Sequence, residues 1–117
     1  MDKNLRDEIN QLHAQFCSGL ADPSRILILY SLADEKTNVS DLAVSLNIPQ
    51  PTVSRHLKVL KDRGMVTARR EGQAVFYDVA DSRIIDALDL LRSILADSLE
   101  SQGSLGRSAL KALEGSE

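Results

Sequence analysis

The chain has 117 residues, 43% of them hydrophobic and 26% charged, with a net charge of −3, the profile of one soluble globular domain with a single core. There is no Trp and only 3% aromatic content, so aliphatic side chains must build that core, and a single cysteine excludes an intramolecular disulfide or a multi-cysteine metal site within one subunit. Residues 1 to 8 are polar and lack the apolar stretch of a secretory signal, and no apolar run approaches membrane-spanning length; a cytoplasmic protein with no membrane partner is expected.

The first helix carries Leu5, Ile9, Leu12 and Phe16 at spacings of 4, 3 and 4, one apolar seam on an otherwise polar surface. A second start signal follows at Asp22 and Pro23, a capping acid and a proline at the first helical position. It leads into Arg25 to Leu32, where Ile26 to Tyr30 are consecutively apolar. That helix is expected to be the buried centre of the domain.

Asn38 begins the next helix, with Asp41 three positions on completing an N-x-x-D variant of the capping box. Val39, Leu42, Ala43 and Leu46 fall on one stripe. Asn47, Ile48 and Pro49 make the turn, because the residue before a proline is biased out of the helical region and Asn tolerates left-handed geometry. A further helix, Gln50 to Arg63, divides by face: Val53, Leu57 and Leu60 point inward, while Gln50, Thr52, Ser54, Arg55 and Lys58 form a polar and cationic outer face. Met65 to Arg70 then read as a strand, Glu71 to Gln73 as a turn in which Gly72 supplies positive φ, and Ala74 to Val79 as the returning strand. Arg69, Arg70 and Gln73 crowd the tip of this ribbon.

This order is mainly α with a small β-hairpin, a winged helix-turn-helix, whose second helix enters the major groove while the hairpin lies along phosphates or a minor groove. Arg donates bidentately to guanine, Gln to adenine, and Ser or Thr to base edges or phosphates. A polar stripe by itself more often means a solvated face, and charges on an exposed strand also block sheet-to-sheet aggregation. Charge distribution favours DNA. Residues 50 to 75 carry six Lys or Arg against two acids, whereas residues 1 to 49 are at −3 and residues 76 to 117 at −4, so the positive field is confined to the proposed reading segment.

The last helix has its own seam, Ile84, Leu88, Leu91 and Leu95, again spaced 4, 3 and 4 and widened by Ile85 and Leu90. One small domain has too little surface to cover both outer seams. They are expected to pair with each other and with a second copy, a homodimer whose two-fold symmetry matches a palindromic site; an intrachain helix pair is the alternative. Ser101, Gly103, Ser104, Gly106 and Ser108 are expected to interrupt the helix. The chain then divides into a DNA-binding and dimerisation domain over residues 1–99 and a mostly mobile tail over residues 100–117.

The runs Leu20-Ala-Asp-Pro-Ser-Arg-Ile-Leu-Ile-Leu29, Val39-Ser-Asp-Leu-Ala43, Gln50-Pro-Thr-Val-Ser-Arg-His-Leu-Lys-Val-Leu60 and Gly72-Gln-Ala-Val-Phe-Tyr77 resemble the ArsR/SmtB family of bacterial and archaeal repressors over about residues 5 to 97. The resemblance implies a dimeric winged helix held by its first and last helices, bound to double-stranded operator DNA and released by an inducer. It assigns base or phosphate reading to Gln50, Thr52, Ser54 and Arg55, with Arg70 and Gln73 in the wing. Pro49 departs from the pattern, standing where the family usually has a helix-capping serine.

The metal sites of the family also depart. Soft-metal sensors have C-x-C-D-L where this chain has Val39-Ser40-Asp41-Leu42, and others have D-x-H with a later H-x-x-H or H-x-x-E where this chain has Asp81-Ser82-Arg83 and Ile94-Leu95-Ala96-Asp97. Arginine and isoleucine do not ligate zinc, so neither family site is expected. His13 and Cys17, four apart on the first helix, remain as candidates for a metal or redox response, against the commoner reading of a packed imidazole and a small buried thiol. His56 reads as a packing or hydrogen-bonding residue. With two histidines and one cysteine there is no nucleophile, base and orienter set, and no Gly-rich phosphate loop. Neither an enzyme nor a cofactor is expected. A winged helix used only for protein contacts is the runner-up to a DNA-binding regulator.

Overall fold

A computed structural model describes residues 2–115, with side chains described through residue 102. The chain forms two compact units, Met1–Ile85 and Asp86–Glu117. In the first, helix α1 (Lys3–Leu12) starts at Asp2, whose carboxylate accepts from the Asn4 amide at 3.1 Å, and passes into one π-helical stretch, His13–Cys17. The sequence predicted a continuous helix there. The Ser18 amide instead bonds back five residues to the His13 carbonyl at 3.0 Å. The carbonyl it would ordinarily meet, that of Ala14, is taken by the Ser18 hydroxyl and the Arg63 guanidinium.

Helix α2 (Pro23–Asp34) follows, capped by Asp22, which accepts from the Ser24 amide at 2.8 Å. Ile28, Leu29 and Leu32 are buried, but Leu27 is 53% exposed. The run of apolar residues therefore covers more of the helix than the domain encloses. Helix α3 (Val39–Leu46) begins at Asn38, whose side-chain oxygen accepts from the Asp41 amide at 2.8 Å while its side-chain amide donates to the Asp41 carboxylate at 3.2 Å. The capping box thus closes side chain to side chain.

Asn47 has φ +53° and ends α3 in the paired bonds of a Schellman turn, Ile48 amide to Ala43 carbonyl and Asn47 amide to Val44 carbonyl. Helix α4 (Gln50–Asp62) starts directly after Pro49, with no side-chain cap. The Pro49 carbonyl takes the Thr52 and Val53 amides at 3.0 and 3.1 Å, and Pro51 has no amide to satisfy, which is how the helix starts without a capping serine. It ends in a second Schellman turn at Gly64, φ +72°, with Met65 bonded to Leu60 and Gly64 to Lys61.

Strands β1 (Val66–Glu71) and β2 (Ala74–Val79) pair antiparallel from Val66 with Val79 to Glu71 with Ala74. The turn is therefore two residues rather than the three expected. Positive φ at Gly72 and not at Gln73 is the φ pattern of a type II′ hairpin. Thr37, in the linker between α2 and α3, exchanges both backbone hydrogen bonds with Tyr77, at 3.2 and 2.7 Å, and so ties the wing to the body. Leu42, Val53, Leu57, Leu60, Met65 and Val66 complete a core with no buried polar side chain among the described residues, each large aliphatic contributing about 1.5–3 kcal/mol.

Helix α5 (Ser82–Gly115) continues past the Ser/Gly run that was expected to interrupt it. Each glycine costs only about 1 kcal/mol in a helix, and no proline removes an amide. Residues 116 and 117, and all side chains of the expected tail beyond 102, lie outside the described residues.

Candidate nucleic-acid interface

Helix α4 presents Gln50, Ser54, Arg55 and Lys58 to solvent above the buried Val53, Leu57 and Leu60, and Thr52 is half-buried at the edge of that face. The α-helical period separates the two sets, and the Schellman turns fix where the helix begins and ends. Arg55 donates to the Thr52 hydroxyl at 3.2 Å, and Lys58 pairs with Asp62 at 3.2 Å. Both cations are thus held along the helix rather than dispersed in solvent.

A groove of about 510 Å³ runs between α4 and the wing, lined by Pro51, Ser54, Arg55, Leu57, Lys58, Lys61, Asp62 and Tyr77. It brings three of the predicted residues, Ser54, Arg55 and Lys58, to one surface. Lys61 and Tyr77 were missed by the sequence reading. Lys61 was findable, since Ser54, Lys58 and Lys61 repeat the 4, 3 spacing of one helical face. On the wing, strand alternation puts Arg69 on one face and Arg70 on the other, both exposed, and Gln73 is exposed in the turn.

The far end of α4 is bolted to the segment before α2. Gln15 donates to the Arg63 carbonyl at 3.1 Å, and Arg63 donates to the Ala14 carbonyl. Arg25 binds the Gly19 carbonyl at 2.7 Å and the Ser18 carbonyl at 3.3 Å, and its guanidinium lies 3.4 Å from His56 Nδ1. Because Arg can only donate, His56 Nδ1 is the acceptor of that contact. His56 is therefore half-buried in hydrogen bonding, as its place on the inner face suggested.

His13 and Cys17 both lie in the π-helical stretch and are exposed, not packed. Among the described residues no group of three or more His, Cys, Asp or Glu could hold a metal ion. At the start of α5, the Arg83 guanidinium grips both carboxylate oxygens of Asp81, the shortest contact at 2.7 Å, while its amide donates to the same carboxylate at 2.9 Å. These bonds from Arg83 pull the Asp81 carboxyl down to about 2 from the ordinary 3.8. The stabilisation they supply is present above the ordinary value and is lost as pH falls through about 2. An NMR titration should give that midpoint, and Arg83→Ala should return it towards 3.8; an unmoved midpoint would remove Arg83 as the cause.

A capped helix, a left-handed turn at Asn47, a polar-faced second helix and a paired ribbon define a winged helix-turn-helix. The chain belongs to the arsR family of bacterial regulatory proteins, whose pattern residues 22–68 match. It is 36% identical over 94 residues to a transcriptional repressor SmtB homolog of Synechocystis, covering 80% of this chain and 67% of that protein. It is 40% identical over 77 residues to the SmtB repressor of Mycobacterium tuberculosis, covering 66% of this chain and 57% of that one. The chain thus spans between about half and two thirds of these curated relatives. Among solved structures, a homodimeric winged helix-turn-helix DNA-binding domain from Mycobacterium bovis, a possible ArsR-family transcriptional regulator, superposes with a TM-score of 0.74 at 28% identity, covering 86% of this chain and 92% of that one.

Proposed function

We propose that the protein is a sequence-specific transcriptional repressor that binds palindromic operator DNA as a homodimer in the cytoplasm, without the usual metal sites of its family. The observation that carries this reading is the sorting of α4: Val53, Leu57 and Leu60 turned into the core and a face of hydrogen-bond donors and cations turned out. The repressor relatives support it, and so does confinement of positive charge to residues 50–75. The chain acts by binding, not by catalysis.

Homodimerisation is supported by the exposure of Leu5, Ile9 and Leu12 on α1 and of Leu91 and Leu95 on α5, apolar seams that a second copy would cover. The Mycobacterium bovis neighbour is itself homodimeric. Leu88, also assigned to this seam from sequence, is only 6% exposed in the single chain, and Phe16 and Ile84 are half-buried. The absence of family metal sites is supported by the engagement of Asp41 with Asn38 and of Asp81 with Arg83.

The competing reading is a winged helix that binds only protein. An electrophoretic shift comparing the DNA upstream of the protein's own gene with a random duplex separates the two. Arg55→Ala should cost about 1–3 kcal/mol on the upstream DNA and relax base preference at one position, whereas Lys58→Ala should weaken both duplexes alike. Equal losses on both duplexes for Arg55→Ala would remove Arg55 from base reading, and no preference in the wild type would favour the protein-binding alternative.

A further inference from the structure

The wing tip holds an acid among its cations, and what that acid does decides how much charge the wing can offer to DNA. Glu71 and Arg69 lie two residues apart on β1 and so share a face, with Phe76 opposite Arg69. Two residues is close enough for a carboxylate and a guanidinium to pair on one strand face. They do not pair: the Glu71 carboxylate accepts from Lys36 Nζ at 3.0 Å. Lys36 comes from the linker between α2 and α3, next to Thr37, whose two backbone bonds to Tyr77 fix its distance from the wing. Its ammonium also stands 5.8 Å from the centroid of the Phe76 ring, within cation–π range. The other carboxylate on that face, Asp78, accepts from the Val79 amide at 2.8 Å.

We propose that Lys36 is a positioning residue for DNA binding: by holding Glu71 it keeps that carboxylate off Arg69, leaving the Arg69 guanidinium for a DNA phosphate. The proposal rests on the DNA-binding reading of the wing and assigns Lys36 no contact with DNA. The exposed ion pair adds little to folding. Its effect lies in which cation the acid neutralises, since a guanidinium paired with a carboxylate releases no counterion when DNA arrives.

The test is binding of the full chain to a random-sequence duplex across a salt series, so that phosphate contacts are read without knowledge of the operator. Lys36→Gln should weaken binding about three- to fivefold and reduce the slope of log affinity against log salt by about 0.9, the value of one phosphate contact. Lys36→Arg should restore both. In a Glu71→Gln background, Lys36→Gln should have no further effect, because the carboxylate that Lys36 holds off Arg69 is already gone. The same loss in both backgrounds would mean that Lys36 contacts phosphate itself and would overturn the proposal, as would an unchanged slope in Lys36→Gln. If Arg69→Gln leaves the slope unchanged, Arg69 does not contact phosphate and the proposal falls with that assignment. Loss of base preference is a separate outcome, read on the upstream DNA, and bears only on the repressor reading.

Discussion

Leu91→Glu is expected to leave a folded monomer that binds operator DNA at least about a hundredfold more weakly than the wild type. Leu91 is 61% exposed in the single chain, so a carboxylate there stays hydrated until a second copy arrives. At a two-fold interface the substitution appears twice, and each unpaired buried carboxylate costs about 3–5 kcal/mol. Losing the partner then removes the second half-site, and with it the gain of about a hundredfold or more that bivalent attachment brings. Sedimentation at micromolar concentration, far-UV circular dichroism and operator binding give the three readouts. A wild type that sediments as a monomer, or a variant that remains dimeric, would refute the proposed interface. Leu88→Glu is a poorer probe, because a residue only 6% exposed in one chain reports on folding before it reports on assembly.

The second large effect is on stability. Leu57 is 1% exposed and lies on the inner face of α4 between Arg55 and Lys58, the outward residues assigned to DNA. Leu57→Ala should cost about 2–5 kcal/mol through lost transfer energy and the cavity left behind. For a domain of this size that is a fall of roughly 10–30 °C in Tm, followed by circular dichroism. A Tm within a few degrees of wild type would mean that α4 is not packed on this face. Arg55→Ala, two residues away and exposed, should leave Tm almost unchanged while lowering DNA affinity. Together the two variants separate the half of the helix that folds from the half that binds.

The features legible in sequence were those written in local chemistry. Asn38 as a cap, Asn47 in left-handed geometry, proline in the first turn of α4 and the inward set Val53, Leu57 and Leu60 each follow from a few neighbouring residues. What stayed hidden depended on partners far along the chain. The π-helical stretch after α1 involves Arg63, 49 positions from Ala14, and the role proposed for Lys36 depends on Glu71, 35 positions away. Helix α5 was cut short for another reason: glycine and serine weaken a helix without forbidding it, and a breaker pattern was read where only a modest penalty existed. The polar face of α4 was plain in sequence, but its groove with Tyr77 was not, because strand register sets which β2 side chains lie beside the helix.

The bolt between Gln15, Ala14 and Arg63 gives the recognition helix the mechanics of a lever. Its thirteen residues span about 20 Å, and the bolt sits at the end opposite Gln50. A rotation of about 10° there sweeps the Gln50 end through about 3.5 Å, nearly the rise of one base pair. In the proposed dimer, register along the operator is therefore governed by angular stiffness at a few hydrogen bonds about 20 Å from the Gln50 end of the helix.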